Sequence, residues 1–336
     1  MTTLSDVARR AGVSTMTVSR VINESGYISQ DARARVNEAV AELGYMPNAL
    51  ARQLRSRRTK TIALVVTDIR NPFFTTIASG VEDTARSRGY AVMFCNTYES
   101  EVEEAEYVRV LIERRVDGVL LVPSCGAGAS VQLLQEHGMP TVVLDRHVHD
   151  VQADEVRADS RAGAYDAVHH LTDLGHRRIA VLAGPEGVST STDRVAGYRK
   201  ALLEACPGGE CGQILFGEFN EASGYSMTRQ ILEAESRPTA IFAANNFIAF
   251  GAIRALREAG LGIPEDMSMV VFDDLPPGWV LDPFLTVVSQ PAYEIGTRAA
   301  ELLLERLTGE APEGPRSIVL PSELIVRRST APPRPH

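Results

Sequence analysis

Lysine is nearly missing from this chain: Lys60 and Lys200 are the two lysines among 34 basic residues. A phosphate-cradling G-x-x-x-x-G-K-[ST] loop therefore has nothing to build on, which excludes the P-loop class of nucleotide enzyme. A G-x-S-x-G nucleophile elbow and an H-E-x-x-H zinc pair are also absent, so no hydrolase of either kind is encoded. Gly126-Ala-Gly128 is half of a dinucleotide fingerprint, but the third glycine is lacking and a tight loop accounts for the pair. The histidines His147 and His149, and the adjacent His169 and His170, have no third ligand nearby in sequence. No metal and no cofactor are expected. Cysteine is scarce: Cys95, Cys125, Cys206 and Cys211 are scattered, as in a reducing compartment. Cys206 and Cys211 flank Pro-Gly-Gly-Glu and read as two ordinary thiols. There is no apolar run of about 18 residues and no signal peptide, so the expectation is a cytoplasmic protein without a membrane partner.

Charge is plentiful but unevenly divided. Residues 1–60 carry 10 basic against 5 acidic side chains, whereas residues 61–336 carry 24 against 38. A basic end meets nucleic acid; an acidic body is repelled by phosphate. Within the basic end, Leu4, Val7, Ala8 and Ala11 fall at i, i+3, i+4 and i+7, the stripe of a short helix. Thr3 and Asp6 are spaced for a capping box before it, and Gly12 supplies the stop. Ser14 is placed to cap a second helix whose Val18, Val21 and Ile22 cluster on one side. Met16, Arg20 and Asn23 lie opposite, flanked by Thr15 and Ser19, so the exposed side is small, polar and cationic. Two short helices joined by a tight turn form a helix-turn-helix suited to a major groove. A third helix, from Ser29 through Val36, Ala39, Val40 and Leu43 to Gly44, closes the small core.

The order D-V-A-x-x-A-G-V-S-x-x-T-V-S-R-V-I-N over residues 6–23 closely resembles the DNA-binding headpiece of the LacI-type (lactose repressor) family of bacterial transcription regulators. By that resemblance Thr15, Met16 and Arg20 read bases, while Ser14, Thr17, Ser19 and Asn23 hold phosphates. The chemistry suits those roles. An arginine donates a bidentate pair to guanine, a methyl group touches the thymine methyl, and short hydroxyls reach phosphate oxygens. Residues 46–60 contain Arg52, Arg55, Arg57, Arg58 and Lys60 with no acid, which taken alone is a basic solvated linker. Pro47 nevertheless starts a possible short helix, with Leu50 and Leu54 four apart and nothing local to cover them. The resemblance, continuing through P-N-A-L-A-R-Q-L, makes this a hinge helix that orders on DNA beside its dimer mate. Leu54 is then the minor-groove wedge, with Arg55 alongside.

From Thr61 onward, short β-rich apolar runs alternate with helical patterns: Ile62–Val66, Ala91–Phe94, Gly118–Val122, Thr141–Leu144, Ile179–Leu182, Ala240–Ala243 and Met269–Phe272. That alternation implies right-handed crossovers and parallel sheets covered on both faces. The length exceeds one comfortable sheet, so the fold class expected is an all-α headpiece plus hinge helix, followed by an α/β core of two doubly wound parallel-sheet lobes. The family resemblance implies a periplasmic-binding-protein-like core in which the chain crosses between lobes near Asp159, Gln290 and Pro321. The expected domains are residues 1–45, a hinge at 46–60, a core at 61–330 and a frayed tail at 331–336. Lobe 1 then takes about 61–159 and 291–321, and lobe 2 about 160–290 and 322–330. The tail carries no leucine heptads, so the expected assembly is a homodimer with no coiled-coil appendix.

In open parallel sheets small molecules bind beyond the carboxyl ends of the strands. Polar residues collect there: Asp68 to Asn71 after the first strand, Ser124, Asp145 and Arg146, Asn245 and Asn246, Asp273 and Asp274. Each alone is explained as a helix cap or turn former. Together, with Phe73, Phe219 and Trp279 as flat faces, they suggest a carbohydrate cleft. The resemblance extends through D-I-R-N-P-F-F, V-D-G-V-L-L-V-P-S, G-H-R-R-I-A-V-L-A-G, R-V-A-G-Y, R-P-T-A-I-F-A-A-N-N and I-P-E-D-M-S-M-V-V-F-D-D, over residues 2–328. It implies effector contacts at Phe73, Phe74, Ser124, Asp159, Thr190, Arg194, Phe219, Asn246 and Asp273. Asn246 stands where relatives often have Asp, and Val271 where they often have Gly. The first exchanges an acceptor-only carboxylate for an amide; the second adds bulk to a strand. The expected function is a ligand-responsive repressor, not an enzyme, that binds a pseudo-palindromic double-stranded operator with a sugar as effector. The rivals are a solute-binding sensor without DNA contact and a regulator with a nucleobase or other non-sugar effector.

Overall fold

Alternation within Thr61–Val66 (β1) organises the larger part of the chain. Ile62, Leu64 and Val66 face one apolar cluster while Ala63 and Val65 face another, the period-2 consequence of strand geometry. A strand buried on both faces must lie inside a covered sheet. The computed structural model describes residues 2–22, 25–45, 58–124, 128–148, 151–207, 212–275 and 282–334. They fall into two units, Met1–Thr59 and Lys60–His336.

The larger unit holds two six-stranded sheets. In the first, the spatial order is β11 (Ser317–Leu320), β5 (Asp154–Ala158), β4 (Thr141–Leu144), β3 (Gly118–Leu121), β1 and β2 (Ala91–Asn96). In the second it is β12 (Glu323–Ile325), β10 (Thr286–Ser289), β9 (Ser268–Phe272), β8 (Ala240–Ala243), β6 (Ile179–Ala183) and β7 (Gly212–Phe216). Every pairing is parallel except that of β12 with β10. The chain leaves the first sheet after β5, returns after β10 and crosses once more between β11 and β12. These are two doubly wound lobes.

Helices cover both faces of each sheet. In the first lobe Pro72–Ser87 (α4) and Ala292–Thr308 (α11) share one face; Glu101–Arg114 (α5) and Gly128–Glu136 (α6) take the other. In the second, Ser160–Asp173 (α7) and Ser189–Ala205 (α8) oppose Glu221–Glu233 (α9) and Asn246–Glu258 (α10). α4 and α11 touch backbone to backbone. A Cβ on Gly80 would lie 2.2 Å from the Tyr293 carbonyl oxygen, and one on Gly296 would lie 2.1 Å from that of Ile77. No larger residue fits there without moving a helix.

Two sequence expectations change. The tail set apart at residues 331–336 is held over its described part. His176, buried and kept below its ordinary pKa by that burial, lies 2.9 Å by Nε2 from the Ala331 carbonyl oxygen. The Ala331 N–H donates to Ser268 Oγ at 3.0 Å, and Arg334 pairs with Asp266. Backbone polar groups at the end of the chain thus find partners on the second lobe, which periodicity cannot reveal. Cys206 is disulfide-bonded rather than a free thiol, and its partner lies outside the described residues.

The smaller unit packs Leu4–Ala11 (α1), Thr15–Ile22 (α2) and Gln30–Leu43 (α3) around Val7, Ala8, Ala11, Val18, Val21, Val36 and Ala39. Both halves of the capping box form. The Asp6 N–H donates to Thr3 Oγ1 at 3.3 Å and the Thr3 N–H to Asp6 Oδ2 at 3.0 Å. Gly12 ends α1 at φ 62°, and Ser14 Oγ accepts from the Thr17 N–H at 3.1 Å. Residues 46–57 of the expected hinge, Leu54 and Arg55 among them, lie outside the described residues.

Candidate functional site

Two surfaces qualify. In the headpiece, burying Val18 and Val21 turns the opposite side of α2 outward: Thr15, Met16 and Arg20 are exposed, Met16 at 64% of its full surface. Ser14 is exposed, and Thr17 and Ser19 are partly so. Arg9, Arg10 and Arg35 are paired with Asp6, Glu42 and Asp31. Arg20 has no carboxylate partner among the described residues, which leaves its guanidinium fork free to meet an acceptor pair. Asn23 lies outside the described residues.

The second is a cleft between the lobes, with about 430 Å³ of empty space counting its open mouth. It is built at the carboxyl ends of the strands, where helix starts and tight turns turn polar groups inward. From the first lobe come Asn71, Phe73 and Phe74 after β1, Glu99 after β2, and Asp145 with Arg146 after β4. From the second come Thr190 and Arg194 of α8, Phe219 after β7, Asn245 after β8 and Asp273 after β9. Gln290, at the return crossing, completes it. Phe73 and Phe74 meet edge to face with centroids 5.2 Å apart. The Arg146 guanidinium lies 5.7 Å from the centre of the Phe219 ring, reaching from one lobe to the other. Asn246 Nδ2 donates to Asn71 Oδ1 at 3.2 Å, a second link across the cleft.

Charge is packed here without water-like freedom. Arg194, stacked 3.8 Å over the Phe272 ring, donates Nη1 to the Ala244 carbonyl oxygen at 2.5 Å, and burial lowers its pKa. Burial raises Asp273, whose Oδ1 accepts from Gln290 Nε2 at 2.5 Å. Asp145 sits at φ 63° with its carboxyl pushed up to about 6 by burial. Burial works against the charge on Arg146, yet the Glu99 carboxylate beside it leaves its pKa raised. Among the buried groups, Asp145 Oδ1, Asn246 Oδ1 and Gln290 Oε1 have no donor, and Arg146 Nε and Arg194 Nε have no acceptor. Buried polar atoms are ordinarily paired, so a convergent set of unpaired ones marks a place for a polar ligand.

Of the effector positions drawn from the family resemblance, Phe73, Phe74, Thr190, Arg194, Phe219 and Asp273 line this cleft. Asn246 borders it through its bond to Asn71. Ser124 and Asp159 do not line it. Ser124 is buried, with its N–H donating to the Glu104 carboxylate at 2.6 Å. Asp159 caps α7 by accepting from the Ala162 N–H at 2.9 Å. Asp274, at the same strand end as Asp273, pairs with Arg327 instead. Trp279 lies outside the described residues. Glu99 and Gln290 were not singled out as ligand contacts, although each follows a strand end.

A headpiece that offers an exposed cationic helix face, and a two-lobed cleft of polar groups open to hydrogen bonding, define a DNA-recognition protein that binds a ligand. Comparison with known proteins agrees. Residues 3–48 match the family described as bacterial regulatory proteins, lacI family, and residues 59–328 match the periplasmic binding proteins and sugar binding domain of LacI family. The chain belongs to the LacI family. It is 38% identical over 331 residues to the HTH-type transcriptional repressor PurR of Vibrio atlanticus, covering 98% of each chain. It is 37% identical over 331 residues to the ribose operon repressor of Halalkalibacterium halodurans, covering 98% of this chain and 97% of that one. The lac repressor dimer bound to operator and an anti-inducer superposes with a TM-score of 0.85 at 30% identity, over 98% of this chain and 99% of that one. These relatives are transcriptional repressors, not enzymes.

Proposed function

We propose that this protein is a cytoplasmic homodimeric repressor whose grip on DNA is switched by a small neutral sugar, of about pentose size, held in the cleft. The observation that carries the effector reading is the set of unpaired buried atoms. Three oxygens need donors and two guanidinium nitrogens need acceptors, on both lobes at once. Hydroxyl groups both donate and accept, so a ring carrying several of them satisfies the whole set, while Phe73, Phe74 and Phe219 cover its faces. The ribose operon repressor and a 34% identical LacI family regulator of Enterococcus faecium described with bound ribose support the same reading. Ser124 and Asp159 are left out of the effector set. A nucleobase is the second reading, favoured by the phenylalanine rings and the PurR relatives.

At the other end Thr15, Met16 and Arg20 read base edges, and Ser14, Thr17, Ser19 and Asn23 hold phosphates. Leu54 and Arg55 enter the minor groove at the centre of a pseudo-palindromic operator. Two-fold symmetry of a dimer imposes half-sites about one helical turn apart. Sugar binding changes the closure of the lobes and with it the spacing of the two hinges. Calorimetric titration of the full chain with D-ribose, cellobiose and guanine tests the effector. The expected result is binding of ribose and neither of the others; binding of guanine in place of ribose overturns it.

A further inference from the structure

Glu99 is held more firmly than a surface carboxylate needs to be. It follows Tyr98, and both residues adopt left-handed backbone, at φ 60° and 52°, with the Glu99 N–H donating to the Thr67 carbonyl oxygen at 3.2 Å. So fixed, its two oxygens accept parallel bonds from Arg146 Nη1 and Nη2 at 2.7 and 2.6 Å. Arg146 Nη1 also donates to the Pro123 carbonyl oxygen at 2.8 Å, and the side chain is 5% exposed. Both ends of the guanidinium are therefore occupied, while Nε, 3.9 Å from Asp145 Oδ2, makes no hydrogen bond.

We infer that Glu99 is a specificity-determining residue: by cancelling the charge of Arg146 it makes the cleft accept a neutral sugar and refuse its phosphorylated form. The charge that remains supports this. Glu99 takes both ends of Arg146, whose Nε also lies 3.9 Å from Asp145 Oδ2; with Asp68 matched to Arg70, the carboxylates Glu99, Asp145 and Asp273 outnumber the guanidinium groups of Arg146 and Arg194. Arg194 has already given Nη1 to Ala244. A phosphate group entering here meets surplus carboxylate in a buried setting, where like charges repel most strongly. A hydroxyl instead accepts from Arg146 Nε and donates to Asp145. The inference rests on the sugar reading of the cleft, and the switch would then report the free sugar ahead of any phosphorylating step.

Calorimetric titrations of the full chain with D-ribose, ribose 5-phosphate and inorganic phosphate test this. The wild type should bind ribose and give no heat with either anion. Glu99→Gln should narrow the preference for ribose over ribose 5-phosphate by roughly tenfold or more, the scale of one uncompensated charge, and should gain binding of inorganic phosphate. Glu99→Asp, which keeps the charge, should keep the exclusion. The double variant Glu99→Gln/Arg146→Gln should lose the phosphate gained. Equal binding of ribose and its phosphate by the wild type overturns the inference even if Glu99→Gln fails to fold, as does an unchanged ratio in a folded Glu99→Gln. Phosphate gained by Glu99→Gln with no ribose bound by the wild type sinks the sugar reading and leaves the role of Glu99 standing.

Discussion

The headpiece and the cleft prepare for their partners in opposite ways. In the headpiece Thr15, Met16 and Arg20 stand in solvent on a helix whose other side fills a core. In the cleft Asp145, Arg146, Arg194 and Asp273 are each buried to within a few per cent of full occlusion. An exposed group keeps its hydration until the partner arrives, so losing it forfeits only the bonds it would have made. A buried charge is balanced against its neighbours, so removing one leaves the others uncompensated. The cleft should therefore be far less tolerant of single substitutions than the headpiece.

Asp273→Ala should show this most sharply. It takes the acceptor from Gln290 Nε2 and a counter-charge from Arg194. Removing one partner from such a buried set costs about 3–5 kcal/mol of folding stability, and with the acceptor at position 273 gone, sugar binding should fall below detection in a calorimeter. Operator binding by the ligand-free protein, measured by fluorescence anisotropy, should survive. Normal release of DNA by sugar would remove Asp273 from the site.

Arg20→Ala should have a smaller and more selective effect. Losing a bidentate contact to guanine costs about 1–3 kcal/mol of discrimination at one base pair. A binding selection from randomised half-sites should show that single position relaxed and the others kept. An unchanged preference at every position would mean that Arg20 does not read DNA.

The same contrast explains what could be read from the sequence. The headpiece rests on neighbours three and four residues apart and on caps at Thr3, Gly12 and Ser14, all visible in a short stretch. Six of the seven strands read from the sequence lie inside their sheets, and a strand covered on both faces is apolar throughout; β2 is an edge strand that was legible through its unbroken run Ala91 to Cys95. β7, β11 and β12, also at edges, hold only two or three consecutive apolar residues and were not. β5 alternates buried Asp154, Val156 and Ala158 with the charged Glu155 and Arg157, which breaks the apolar run. In the cleft, the rule that ligands gather at strand ends marked Asp145 and Arg146. It passed over Glu99 and Gln290, the second because β10 had not been recognised as a strand. Ser124 and Asp159 also follow strands, but a strand end needs caps and turns as well, and residue type alone does not separate a cap from a contact.

Acid should separate the two surfaces by the smallest of these effects. The Asp145 carboxyl, raised to about 6 by burial, is ionised at pH 7 and takes up a proton as pH falls through 6. A sugar hydroxyl donates to the ionised form, so binding draws the proton off and affinity falls on acidification, by about tenfold between pH 7 and pH 5 if the ionised form alone binds. Stability of the free protein moves the other way. The folded carboxyl keeps its proton up to about 6, whereas the unfolded one releases it near 3.8, so the cost of burying this charge is absent below 3.8 and full above 6. Asp273 is raised by burial in the same cleft and adds in the same direction. In the headpiece Asp6 is held below its ordinary value by its bonds to Thr3, and it remains charged throughout that range. Sugar affinity should therefore bend near pH 6, with protons released on binding, as shown by calorimetry in buffers of differing ionisation heat. A sugar affinity flat from pH 7 to pH 5 would mean that ionised Asp145 is not among the groups the effector touches.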